Sequence, residues 1–142
     1  TITRLQNMGT PDYLISAACQ LVVAQRLARK NCKECKVPDD DVNPKVLQDL
    51  GFSAEQATRV KAIKGKGCAK CKDTGYKGRQ GIYEILVVSK PLKEAILRKA
   101  TTPELREIAI KEGFQTMQDM GRRLIAAGEL NFREYERVLS GE

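Results

Sequence analysis

Two Cys-x-x-Cys pairs in a chain without a single histidine restrict this sequence more than any other feature in it. The pairs are Cys32-Lys33-Glu34-Cys35 and Cys68-Ala69-Lys70-Cys71, with 32 residues between Cys35 and Cys68. Three chemistries compete for them. Disulfides suit a secreted chain, but no secretory signal is visible, and five cysteines in 142 residues is far below the density of a disulfide scaffold. A redox Cys-x-x-Cys explains one pair and leaves the other idle. A tetrathiolate zinc site uses both, because each knuckle offers two sulfurs and two knuckles close a tetrahedron around one ion. The missing histidine removes the Ser-His-Asp triad, the Cys-His nucleophile, the mixed Cys/His metal site and the histidine general base. The fifth cysteine, Cys19, stands alone beside an apolar run and is expected to be unliganded and at least partly buried.

Charge gathers around the knuckles. Arg26–Lys36 holds five basic residues against Glu34, and Arg59–Arg79 holds eight against Asp73. The two windows carry +11 where the whole chain carries +7, so the remainder is acidic. Zinc on four thiolates is a net anion, and nearby lysines favour the ionised sulfurs. The same clusters would also suit a surface facing acidic lipid, nucleotide or a neighbouring subunit.

Along the chain, Thr1–Met8 reads as a helical segment stopped by Gly9, and Pro11-Asp12 opens a second helix to about Ala18. Residues 20–28 are apolar and β-branched at their centre, which predicts a buried strand. Two short helices follow, Pro44–Leu50 and Ser53 to about Val60; Gly51 ends the first and a Ser53-x-x-Gln56 capping box starts the second. Ile63–Gly81 contains five glycines, read as tight turns with positive φ around a metal. Residues 82–88 form the clearest strand. Helices are then predicted from Ser89 to near Ala100, from Thr102 as cap to before Gly113, over Thr116–Ala127, and from Asn131 as cap to about Leu139, with a short end beyond. Two strands cannot make an independent covered sheet. They predict the edge of a larger one, in a chain whose start is cut from upstream sequence.

No stretch of 18 apolar residues exists to span a membrane, and no phosphate-loop pattern is present; Gly65-Lys66-Gly67 is too short and Gly75–Gly81 has the wrong spacing. The run Cys68–Gly75 slightly resembles the zinc repeats of the DnaJ chaperone family, where four such repeats are expected and here there is one.

A broader resemblance covers essentially the whole chain. Thr3-Arg4-Leu5-Gln6-Asn7-Met8-Gly9, then Val22–Cys32 with its Gln25-Arg26-Leu27 signature, then the second knuckle, then Gly78–Leu86 together resemble the C-terminal part of bacterial secretion ATPases, the type IV pilus extension and type II secretion enzymes. The resemblance implies an α/β fragment: edge strands and helices of a RecA-like ATPase domain, with an inserted tetracysteine zinc module and a C-terminal helical subdomain. It divides the chain into residues 1–31 of the ATPase domain, 32–79 as the zinc module, 80–88 as a returning strand and 89–142 as the helical subdomain.

It also implies Cys32, Cys35, Cys68 and Cys71 as ligands of structural zinc, with ATP and Mg²⁺ held by residues upstream. No catalytic residue carries over, so this chain alone is expected to be inactive while its parent hydrolyses ATP. The parent would be a cytoplasmic homo-hexamer, attached to the inner membrane through a platform protein. For Arg26 a structural salt bridge is favoured over nucleotide contact. The rival reading is a free-standing basic zinc module that binds nucleic acid; the 5% aromatic content and the long helical tail weigh against it.

Overall fold

The structure is a computed structural model and describes residues 1–139; the short end expected at 140–142 lies outside the described residues. The chain packs as two units, each assembled from segments far apart in sequence.

The first unit comprises Thr1–Ala24 and Glu84–Thr116. It contains α1 (Ile2–Asn7), α2 (Asp12–Ala18), the start of strand β1 (Leu21–Asn31), and α-helices over Lys90–Leu97 and Thr102–Lys111. Its core is Ile2, Ile15, Val88, Leu92, Ala95, Ile96, Leu105 and Ala109, with Cys19, Val22, Leu86 and Phe114 packed against it. Cap chemistry sets where the helices begin. The Ser89 hydroxyl accepts from the Leu92 N–H and also donates to the Glu112 carboxylate (2.6 and 2.8 Å). At the next helix the cap is Thr101, not Thr102: its hydroxyl accepts from Glu104 N–H, which leaves Pro103 in the first turn where its missing N–H costs nothing. The Lys90 helix stops at Leu97, earlier than expected, because Lys99 turns left-handed at φ 59°.

The second unit comprises Gln25–Tyr83 and the chain from Met117 onward. After β1 come β2 (Lys36–Pro38), α3 (Pro44–Asp49), α4 (Ala54–Arg59), β3 (Ile63–Gly65), a single 3₁₀ turn at Ala69–Cys71 and β4 (Tyr76–Val87). Helices α5 (Lys90–Leu97) and α6 (Thr102–Lys111) belong to the first unit; α7 (Met117–Ala126) and α8 (Phe132–Leu139) close the second. Strands β2 and β3 pair antiparallel with Val37 opposite Lys64. Both caps of the α3–α4 pair form: Asn43 accepts from Val46 N–H, and Ser53 and Gln56 make the expected reciprocal box. Among the described residues, Ile82, Ile125, Leu130, Tyr135, Val138 and Leu139 are buried here. Gly121 lets α7 meet α8, since a Cβ there would lie 2.5 Å from the Leu139 side chain.

β1 and β4 form a two-stranded ribbon. Val88 N–H bonds Gln20 C=O at one end and Cys32 N–H bonds Gly75 C=O at the other, so the strands run antiparallel. The expected buried strand at 20–28 is corrected. Leu21, Val23 and Leu27 are about half exposed, and the alternate residues are the covered ones. A ribbon with its neighbours on one side buries one set of alternate side chains and leaves the other set in water. β4 is also longer than the expected strand, starting at Tyr76.

Candidate metal centre

The four paired cysteines converge. Their sulfurs all lie within 4.8 Å of one another, although the pairs are contributed by opposite ends of the knuckle segment. Cys32 Sγ is 3.7 Å from Cys68 Sγ, Cys35 Sγ is 3.8 Å from Cys71 Sγ, and Cys68 Sγ is 3.7 Å from Cys71 Sγ. These separations have a specific meaning. A disulfide would bring sulfurs to about 2.05 Å. A tetrahedron of thiolates at about 2.3 Å from zinc has edges of about 3.8 Å. The donor set fits a tetrahedral thiophilic ion.

Backbone geometry builds the site. The 3₁₀ turn holds Cys68 and Cys71 together, and Lys72 and Asp73 both take left-handed φ values (55° and 60°), which reverses the chain without glycine. The expected positive φ is present at Gly67, Gly75 and Gly78 but not at Gly65 or Gly81. Gly65 is small for another reason: a Cβ there would sit 2.0 Å from the Gly75 carbonyl oxygen. Gly75 therefore serves three ways: it receives Cys32 N–H at its carbonyl (2.9 Å), donates its N–H to Cys71 Sγ (3.3 Å), and lets the Gly65 backbone pass.

Three backbone N–H groups point at sulfur. Gly67 donates to Cys35 (3.3 Å), while Cys68 (3.2 Å) and Gly75 both donate to Cys71. Such donors favour thiolate and orient it. For Cys71, burial works to raise the thiol, but the two N–H groups outweigh it and hold the group down to about 6. For Cys35, burial prevails over its single donor and pushes the thiol up to about 11. The four thiols share contacts and titrate as one coupled group. A cation is what would let all four ionise together.

Five of the thirteen basic residues in the two windows pair with carboxylates. Arg29 pairs with Glu134 (2.9 Å), Lys30 and Lys36 with Glu129 (3.6 and 3.5 Å), Arg59 with Glu55 (2.6 Å) and Lys64 with Asp39 (3.9 Å). Arg26 donates to the backbone carbonyl of Val138. That contact supports a structural role for this arginine.

Two residues of this unit escaped the sequence reading. Glu134 is fully buried, and it accepts from Arg29 N–H (2.9 Å), from the Arg29 guanidinium and from Arg137 Nε (3.0 Å). Burial opposes its charge, but these donors hold its carboxyl down to about 2. The Arg29 guanidinium also lies 4.0 Å from the centre of the Tyr76 ring, and the Tyr76 hydroxyl accepts from Asn131 (2.9 Å). Asn131-x-x-Glu134-x-x-Arg137 at helical spacing was the available signal. The second is Asn31, 1% exposed, immediately before the first knuckle.

Cys19 takes no part in the cluster. It is half-buried against the core of the first unit, as expected. Brief alkylation of the native protein should label it slowly. Mass spectrometry showing Cys19 modified ahead of cysteines released by a chelator would contradict this.

Comparison with known proteins gives the family. Residues 1–137 match the family model described as type II/IV secretion system protein, and the chain belongs to that family. It is 35% identical over 134 residues to the type IV pilus assembly ATPase PilB of Myxococcus xanthus, covering 94% of this chain and 24% of that protein. To PilB of Thermus thermophilus it is 41% identical over 120 residues, covering 84% of this chain and 13% of the relative. To the type II secretion system ATPase E of Vibrio cholerae it is 32% identical over 136 residues, covering 85% and 26%. The chain thus spans about a quarter or less of the length of these relatives. Among the described residues, no helix is long and apolar enough to cross a membrane.

Proposed function

We propose that this chain is the C-terminal part of a hexameric cytoplasmic ATPase that powers type IV pilus assembly or type II secretion, and that it carries structural zinc on Cys32, Cys35, Cys68 and Cys71. The observation that carries the metal half is the convergence of four sulfurs within 4.8 Å, three of their six separations being 3.7–3.8 Å, close to the edge of a zinc tetrathiolate tetrahedron. When bound, zinc supplies a cross-link and no Lewis-acid chemistry, because four protein sulfurs leave no position for water. The chain's own residues then do mechanical work. Cys32 and Cys68 tie the end of β1 to the second knuckle, and the N–H groups of Gly67, Cys68 and Gly75 orient the thiolates.

In this reading residues 1–31 and 80–88 belong to a RecA-like ATPase domain, 32–79 are its inserted module and 89–142 the helical subdomain. Half-exposed apolar side chains on one face of the ribbon, Leu21 and Val23 on β1 and Ile85 and Val87 on β4, support a further layer that covers this face in the parent. ATP and Mg²⁺ would be bound by residues outside this sequence. The parent would work as a homo-hexamer against an inner-membrane platform protein.

Phosphate release separates this reading from its rival. The chain alone should hydrolyse ATP only at background, since no phosphate-loop pattern is present. A longer polypeptide that includes the upstream ATPase region should hydrolyse it in a manner dependent on assembly. Salt-sensitive, submicromolar binding of DNA or RNA by the chain would instead favour a nucleic-acid module. Ion pairing takes Arg29, Lys30, Lys36, Arg59 and Lys64 out of such a module's phosphate contacts, five of the thirteen basic residues in the two windows.

A further inference from the structure

The residue before the first metal-facing cysteine points to a coupling that the cluster alone does not reveal. Asn31 is buried, and its backbone N–H donates to the carbonyl of Glu129 at 2.9 Å. Its side-chain amide donates twice, to Gly128 C=O and to Ile63 C=O, both at 3.1 Å. Gly128 and Glu129 form the corner between α7 and α8, and Ile63 opens β3, which leads into the second knuckle. Asn31 therefore joins three segments that are distant in sequence. Its Oδ1 is buried with no hydrogen-bond partner, so the side chain is held in place for its two N–H donors. The corner itself is tight: Glu129 N–H bonds Leu124 C=O (3.0 Å), and Leu130 is 1% exposed.

Successive residues of a strand face opposite ways. At the end of β1, Cys32 is engaged by the sulfur cluster and Asn31 by the α7–α8 corner. Releasing the cysteine frees the strand end, and with it the register of the amide beside it. We propose that Asn31 is a positioning residue that couples the metal centre to the α7–α8 corner, so that occupancy of the four-cysteine site sets the order of the C-terminal helices. This rests on the reading that the cysteines hold zinc. A parallel route exists through the Glu129 carboxylate, which pairs with Lys30 and Lys36 on either side of Asn31, but those side chains are each more than a quarter exposed and couple weakly.

Hydrogen exchange tests it, on the zinc-loaded chain and on the same chain after chelation. In the wild type, removal of zinc should accelerate exchange tenfold or more in residues 124–131 as well as in the knuckles. In Asn31→Asp, which keeps the shape but loses both donors, the corner should exchange fast even with zinc bound while the knuckles still respond. Competition with a chromophoric chelator should show zinc affinity falling tenfold or more, because coupling between the site and the corner is reciprocal. Glu129→Gln, which keeps the backbone carbonyl, should leave the metal response of the corner intact. A wild-type corner indifferent to zinc removal would overturn the inference whether or not the variant folds. So would an Asn31→Asp corner that responds as the wild type does, or a Glu129→Gln corner that has lost its response. A chain that takes up no zinc overturns the metal reading and this inference with it. One bound equivalent with an indifferent corner overturns this inference alone.

Discussion

Cys32→Ser should abolish stoichiometric zinc binding and open the segment 36–67 to proteases, and Cys68→Ser should do the same. The effect is expected to be large because little else holds that segment. α3 and α4 are six residues each, β2 and β3 three, and their buried apolar residues are Leu47, Phe52, Ala57 and Ala62. Structural zinc contributes on the order of 10 kcal/mol or more in small modules of this kind, far beyond what such a core supplies. Metal content by atomic emission and limited proteolysis are the measurements. A Cys32→Ser protein that keeps one equivalent of zinc with full protease resistance would refute the assignment.

Glu134→Gln should cost about 2–3 kcal/mol at neutral pH, with the cost shrinking in acid. The wild-type carboxyl is fully buried and held near 2, against about 4.3 in an unfolded chain. A depressed folded-state value means that the carboxylate's contribution is complete above the unfolded value and disappears as pH falls through the folded one. The window of loss therefore runs from about 4.3 down to about 2. The two-unit shift converts to about 3 kcal/mol, reduced here because the Arg29 and Arg137 side chains are 49% and 55% exposed and are screened by solvent. Denaturant unfolding of both proteins, each without metal and in the same buffers, reads the difference. A stability difference that stays constant from pH 7 to pH 2 would show that the charge of Glu134 is not what stabilises α8 against β1.

The sequence disclosed those elements whose signals are local. Ser53-x-x-Gln56 placed a helix start because the two side chains satisfy each other's backbone within four residues. The paired cysteines announced a cluster because each knuckle is itself a local unit. At Thr101-Thr102 the same chemistry was misplaced by one residue, since either hydroxyl satisfies the rule and only the position of Pro103 decides. β2 and β3 went unseen because a three-residue strand between lysines and glycines carries no period to read. The exposure of Leu21 and Val23 could not be read either. A pattern of apolar residues reports that a strand has two faces, not which of them is covered. Glu134 showed only half of its site, since Asn131 and Arg137 lie three residues either side but Arg29 stands 105 positions away, and Asn31 showed none, its Gly128 partner lying 97 positions off.

Those separations also govern when the second unit can form during synthesis. Bonds from Arg29 to Glu134 and from Asn31 to Gly128 close loops of about a hundred residues, so they are among the last the chain can make. The knuckles emerge from the ribosome well before α7 and α8, with four thiols at hand and neither helix yet present to cover the strand that bears Cys32. At elongation rates of about 5–20 residues per second, that interval lasts some seconds. During it, early capture of a metal ion would protect the nascent thiols from oxidation. On the zinc reading, the supply of zinc to the growing chain would become a determinant of yield, separate from the stability of the finished protein.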